Sequence, residues 1–164
     1  MKKIVIINGP ARAGKDTFVK LCGKYCNVMN YSAVDGIKEI AKQMGWDGTK
    51  DEKSRKFLSD LKDLADEFND FSTICIENKI KEFMSADAEI LFLHMREPDQ
   101  IQSFQQKYKN ALSLLIRNDR INVVTSNHAD KNIFKYLYDM ELDNSGTLEE
   151  LEETAHVFVD RLRD

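Results

Sequence analysis

The 164-residue chain has two prolines, three cysteines and one tryptophan, with no long basic block and no long apolar run. Each shortage removes a class of protein. With so little proline, no internal repeat and no low-complexity tract, no segment reads as a linker or hinge, and the length fits one domain. Cys22, Cys26 and Cys75 make neither an even disulfide set nor a C-x-x-C metal pair, so buried thiols in a reducing cytosol are expected. The longest apolar run, near the start of the chain, is far too short to cross a bilayer, and a signal-peptide pattern is missing. The expectation is a soluble cytoplasmic protein with no membrane partner. Lys and Arg number 24 against 28 Asp and Glu, a net charge of −4, and they are spread along the chain. That distribution argues against general nucleic-acid binding. Any anionic ligand has to be met locally.

Such a place exists near the N-terminus. Ile4-Val5-Ile6-Ile7 reads as a buried strand, and Gly9-Pro10-Ala11-Arg12-Ala13-Gly14-Lys15-Asp16-Thr17 follows it. The spacing Gly9-x-x-x-x-Gly14-Lys15 is that of a phosphate-binding loop, in which backbone N–H groups point at phosphate oxygens and the lysine ammonium reaches the outer phosphates. The helix predicted from Thr17 onward adds its positive N-terminal end. Where many such loops place Ser or Thr directly after the lysine to ligate magnesium, this chain has Asp16, with the hydroxyl one residue later at Thr17.

Apolar β-type runs at 3–8, 27–32, 88–94, 111–117 and 133–141 alternate with helical spacing. They predict an α/β fold with a mainly parallel five-stranded sheet flanked by helices. Ligands of such sheets bind beyond the carboxyl ends of the strands, where both the loop and His94-Met95-Arg96 would be delivered. Residues 34–86 read as a helical insert, with Ile37, Ile40, Ala41 and Met44 on one face, then Phe57, Leu58, Leu61, Leu64 and Phe68. An insert of that length beside a phosphate site suggests a substrate-binding subdomain, with a purely structural helix pair as the alternative. A polar stretch within 117–132 reads as a loop or short lid, and Thr147-Leu148-Glu149-Glu150 carries a capping-box pattern at the last helix.

Phosphoryl transfer asks mainly for positioning and positive charge. Arg12 lies in the loop itself, within reach of a donor or acceptor phosphate, or else on the surface. Arg96, at the end of an apolar strand, points to a substrate phosphate, with a salt bridge to Glu97 or Asp99 as the alternative. Arg117 and Arg120 bracket the start of the polar stretch and are candidates to close on the transferring group. No acid occupies 91–96, so Asp16 and Asp35 are the nearest candidates for holding magnesium. His94 reads as a hydrogen-bonded histidine near the cleft rather than a metal ligand, because it has no partner motif.

The loop resembles that of nucleoside monophosphate kinases. Its Gly-Lys-Asp-Thr ending is similar to phage-type deoxynucleoside monophosphate kinases and, more distantly, to phosphomevalonate kinases of the same P-loop superfamily. Tyr31 to Ala41 looks like that group's strand-to-helix segment at the acceptor site, with Lys38 at its lysine, followed by Gly45-Trp46-Asp47 and the basic run Lys50, Lys53, Arg55. Arg96 matches the group's arginine, while His94 stands where its aspartate would be. Asn144-x-Gly146 resembles a turn that in related kinases lies beside the donor adenine.

The resemblance implies a three-layer P-loop NTPase fold over 1–164, with an acceptor-binding insert at about 34–86 and a lid at about 117–132. It implies ATP and Mg2+ as cofactors and transfer of the γ-phosphoryl of ATP to a (deoxy)nucleoside monophosphate. Phosphomevalonate or another metabolite is the alternative acceptor, and an ATP-binding sensor with little transferase activity is the alternative of another class. The cofactor would be held by Gly9, Ala11, Arg12, Ala13, Gly14, Lys15, Asp16, Thr17 and Asn144, with Asp16 toward the metal. Ser32, Asp35, Lys38, Trp46, Arg55 and Arg96 would bind the acceptor, and Lys15, Arg12, Arg96, Arg117 and Arg120 would serve catalysis. The expected partner is a small-molecule phosphate acceptor, on a monomer or homodimer.

Overall fold

β-Branched side chains pack well on a pleated surface covered on both faces, and the Ile4–Ile7 run forms the middle of β1 (Lys3–Asn8), where Val5, Ile6 and Ile7 are fully buried. The computed structural model describes residues 1–121 and 132–164. After β1 come α1 (Lys15–Cys22), β2 (Val28–Ser32), α2 (Asp35–Gln43), α3 (Glu52–Asn69) and α4 (Phe71–Ser85). The chain continues through β3 (Ile90–His94), α5 (Pro98–Lys107), β4 (Leu112–Arg117), β5 (Met140–Asp143) and α6 (Leu148–Arg163). The sheet order is β2-β3-β1-β4-β5. β1 lies parallel to β3, with Ile7 opposite His94, and parallel to β4, with Asn8 opposite Leu115. The expected α/β fold is therefore present, a five-stranded parallel sheet with six α-helices among the described residues.

Two compact units divide the chain, one of residues 1–30 and 86–164 and one of residues 31–85. In the first, α1 and α6 cover the sheet. Phe18 is fully buried, edge-on to Phe92 at 6.4 Å and to Phe158 at 5.3 Å, and Leu151, Ala155 and Val159 complete the contact from α6. The capping box holds α6 in place, with Thr147 N–H donating to Glu150 Oε2 at 2.7 Å and Glu150 N–H to Thr147 Oγ1 at 3.2 Å. Burial, reinforced by neighbouring Cys26, pushes the Cys22 thiol up to about 12, so it is an inert core group. Cys75 is half-buried rather than buried. No described helix is long and apolar enough to cross a membrane.

The second unit is three helices. α2 buries Ile37 and Ala41, and α4 buries Ser72, Ile76, Ile80 and Phe83. α3 buries nothing completely: of the face read from its sequence, Phe57, Leu58 and Leu61 are half-buried, while Leu64 is 66% and Phe68 85% exposed. Met44, placed on the apolar face of α2, is also exposed. A unit this small offers too little partner surface to cover every apolar residue at helical spacing.

The fifth strand differs from its expected place. Residues 133–135 form a single 3-10 turn, and the strand covers only Met140–Asp143. The reason is side-chain bonding to the neighbouring strand. Asp139 Oδ2 accepts from Ser113 N–H and Ser113 Oγ, both at 2.8 Å, and Asp139 N–H donates back to Ser113 Oγ at 3.0 Å, so side chains occupy the ladder before Met140. Phe134 and Leu137 are exposed, so the apolar composition of 133–138 does not mark a sheet face. Of the expected lid, Arg117 ends β4 and Asn118–Ile121 form a turn; its remainder up to 131 lies outside the described residues.

Truncating Phe18 to Ala removes the ring around which α1, α6 and β3 meet. The expected cost is about 3–5 kcal/mol, read from the urea unfolding midpoint.

Candidate functional site

At the end of β1 the chain turns with Gly9 at φ 148°, and a Cβ there would stand 2.3 Å from the Ile116 carbonyl oxygen of β4. Only glycine passes so close to the neighbouring strand. Arg12 (φ 66°) and Gly14 (φ 97°) are both left-handed, and Ala13 N–H closes the turn on Pro10 O at 3.2 Å. Left-handed residues alternating with ordinary ones turn successive N–H groups toward one concavity, the geometry of an anion nest. Arg12, holding that conformation without being glycine, stores strain here.

The helix begins directly behind the loop. In α1 the Phe18 N–H bonds Gly14 O at 2.9 Å, and the amides of Lys15, Asp16 and Thr17 precede it at the positive end of the helix. Lys15 Nζ donates to Gly9 O at 2.6 Å and to Pro10 O at 2.8 Å, which folds the ammonium back across the loop. Backbone donors, the helix end and one ammonium thus gather in one short segment. An arrangement of that kind can hold the oxygens of an anion. Asp16 and Thr17 are exposed on the same first turn, with exposed Ala11 and Arg12 ahead of them and buried Ala13 between.

Two amides anchor the loop. Asn144, in the turn between β5 and α6, donates from Nδ2 to Ala13 O at 2.9 Å, and a Cβ on Gly14 would strike that same nitrogen at 2.3 Å. Asn144 also walls a cleft of about 570 Å³ between β5 and α6, with Met140, Leu142, Thr147, Leu151 and Val157. Asn8, only 1% exposed, accepts from Gly9 N–H at 2.9 Å and donates to Tyr138 OH at 2.8 Å and Arg96 O at 3.1 Å. Tyr138 OH passes its own hydrogen to Ile133 O at 2.9 Å. Burial pushes the Tyr138 hydroxyl up to about 12, although its bond with Asn8 pulls the other way.

The other anticipated residues fall into separate groups. His94, at the end of β3, has Nε2 2.7 Å from Asn30 Oδ1 and 3.7 Å from Asp16 Oδ1, so the partners its sequence context did not show are supplied by the fold. Arg96 is exposed, and among the described residues it makes no ion pair with Glu97 or Asp99. Arg117 is 3.6 Å from Glu141 and stacks over Phe134 at 5.7 Å, which holds it on the β4–β5 side. Arg120 is exposed, its backbone N–H bonded to Asn118 Oδ1 at 3.0 Å.

In the second unit, Ser32, Asp35 and Lys38 come together. Asp35 accepts from Ser32 N–H at 2.7 Å and pairs with Lys38 at 3.3 Å, so it is committed there. Trp46 instead donates to Thr49 O at 2.9 Å, and Arg55 lies exposed on α3. Sequence reasoning did not single out Asn8, Asn30 or Tyr138. Asn8 carried a signal, an amide closing a buried strand before a glycine; Asn30 and Tyr138 carried none.

No family model matches the chain, and no curated protein matches it. Among solved structures it is similar to TT1252 from Thermus thermophilus, with TM-score 0.56 and 14% identity over 98% of each chain. It is also similar to an unliganded sugar kinase from Janibacter sp., with TM-score 0.51 and 14% identity over 98% of this chain and 95% of that one. At such identity the likeness concerns the fold alone, an α/β architecture shared with these structures.

Replacing Asn8 by Ala strands the buried Gly9 N–H and removes the donor to the Tyr138 oxygen, which keeps only its bond to Ile133 O. The expected loss is about 2–3 kcal/mol of stability in a urea titration. Because the folded Tyr138 hydroxyl titrates above its ordinary 10, its contribution is fully present below pH 10 and is lost as pH rises toward 12. Tyr138→Phe flattens the stability profile over that window, measured by unfolding at successive alkaline pH values.

Proposed function

We propose that this protein is an ATP-dependent small-molecule kinase that moves the γ-phosphoryl of ATP to a phosphorylated acceptor, a (deoxy)nucleoside monophosphate being the first choice. The observation that carries the reading is the loop from Gly9 to Thr17: two left-handed residues, a helix start and Lys15 folded over its mouth. The sugar kinase of similar fold supports a kinase over other uses of such a loop.

In this reading the loop amides and Lys15 hold the donor phosphates, and Asn144 faces the nucleoside end of the donor from the cleft beside α6. The exposed carboxylate of Asp16 and hydroxyl of Thr17 are oxygen donors of the kind that Mg2+ accepts, and they would hold the cation beside the nucleotide. When bound, that cation neutralises charge on the phosphates. Arg12 and Arg96 grip the acceptor phosphate, both being exposed cations at the carboxyl end of the sheet. To join the transferring phosphoryl group, Arg117 has to exchange Glu141 for phosphate oxygens, while Arg120 is already exposed. Ser32, Asp35, Lys38, Trp46 and Arg55 are assigned to the acceptor on sequence resemblance. No general base is required, because an acceptor phosphate is already an anion.

The reaction is tested by coupled ADP release with ATP and Mg2+ across a panel of nucleoside monophosphates and phosphomevalonate. Acceptor-stimulated turnover is expected, with a fall of about 10²–10³-fold in Lys15→Ala. Undiminished turnover in the purified variant removes the site from the loop. Tight ATP binding with no stimulation by any acceptor replaces the kinase with a nucleotide sensor.

A further inference from the structure

Three donor atoms from separate elements converge beside the first turn of α1. His94 Nε2 lies 2.7 Å from Asn30 Oδ1 of β2 and 3.7 Å from Asp16 Oδ1. Adjacent ligands about 2.1 Å from one cation stand roughly 3.0–3.4 Å from each other. The 2.7 Å contact is a hydrogen bond in which Nε2–H donates to the Asn30 amide oxygen, so a cation that takes the place of that proton has to open this pair slightly and draw Asp16 in. The imidazole side chain is only 16% exposed and held at the strand end, whereas the Asp16 carboxylate is 89% exposed and turned toward it. The inner imidazole nitrogen, an amide oxygen and an exposed carboxylate would supply half of a six-coordinate shell.

We propose that Asn30, His94 and Asp16 form a divalent-cation site whose nitrogen donor selects a first-row transition metal over magnesium. Magnesium takes oxygen ligands and gives up its water reluctantly, while manganese, cobalt and their neighbours accept imidazole and bind mixed N/O sites more tightly. Ligation at Nε2 displaces the proton that the ring donates to Asn30 Oδ1 and leaves a neutral ring protonated on Nδ1. Asp16 lies next to Lys15, so nucleotide phosphate oxygens complete the shell; that completion, but not the protein donor set, rests on the kinase reading. The two oxygen donors of α1 alone admit magnesium, and His94 changes the preference.

The test titrates the full-length protein with Mn2+, followed by electron paramagnetic resonance, alone and with a non-hydrolysable ATP analogue. Protein labelled with 15N-histidine is expected to show histidine-nitrogen modulation of the bound Mn2+ echo signal. Displacement should need about tenfold or more Mg2+ over Mn2+. His94→Gln is expected to erase that modulation, and both His94→Gln and Asp16→Asn to weaken Mn2+ about tenfold or more. Circular dichroism checks that both variants fold; Asp16 is exposed enough for its substitution to leave the core intact. Bound Mn2+ without histidine modulation, Mn2+ that does not bind in either arm, or variants of unchanged affinity overturn the proposal. Nucleotide binding is read separately by calorimetry. If the analogue does not bind while Mn2+ alone still shows the histidine nitrogen, the cation site stands and the kinase reading falls.

Discussion

The side-chain amide of Asn8, shared among the Gly9 N–H, the Tyr138 hydroxyl and the Arg96 carbonyl, is a common fixed point for three parts of the chain. It sets the exit of β1, the segment after β3 and the approach to β5 with one buried group. Such a group is expensive to bury unless every polar atom is met, and here Oδ1 and Nδ2 both are. The glycine that follows can then pass against the Ile116 carbonyl, and the loop closes on the far side of that contact. Neither the anion nest nor the helix start would stand at the head of the sheet if this junction slipped by one residue.

Local pattern carried much of the fold. Four strands lie within two residues of their apolar runs, because buried parallel strands are nearly continuous in Val, Ile and Leu. The capping box of α6 is local chemistry, and it appears where spacing put it. The fifth strand was misplaced because its start is decided by Asp139 and Ser113, which sit 26 residues apart in sequence and meet only after folding. α3 was misjudged in degree rather than kind. Its spacing is helical, but spacing reports which residues share a face and not how much surface waits to cover them.

The candidate site divides in the same way. Gly9, Gly14 and Lys15 were legible because a tight turn into a helix needs those residue types at those positions. Asn8, Tyr138 and Asn30 act through tertiary contacts, and single side chains of common type leave no periodic trace. His94 lies between the two cases. Its sequence neighbours supply no partner, yet parallel pairing beside β1 carries it to the helix that starts after the loop.

The Asn144 amide that holds the Ala13 carbonyl belongs to the turn where α6 begins. The Gly9–Thr17 loop therefore leans at its far side on the turn before the last helix, not on a neighbour in sequence. α6 in turn buries Leu151, Ala155, Phe158, Val159 and Leu162 in the main core. Opening the loop fully would break its bond to the turn that leads into this helix. The loop therefore draws on the stability of the first unit as well as on its own bonds to Asn8 and Asn144.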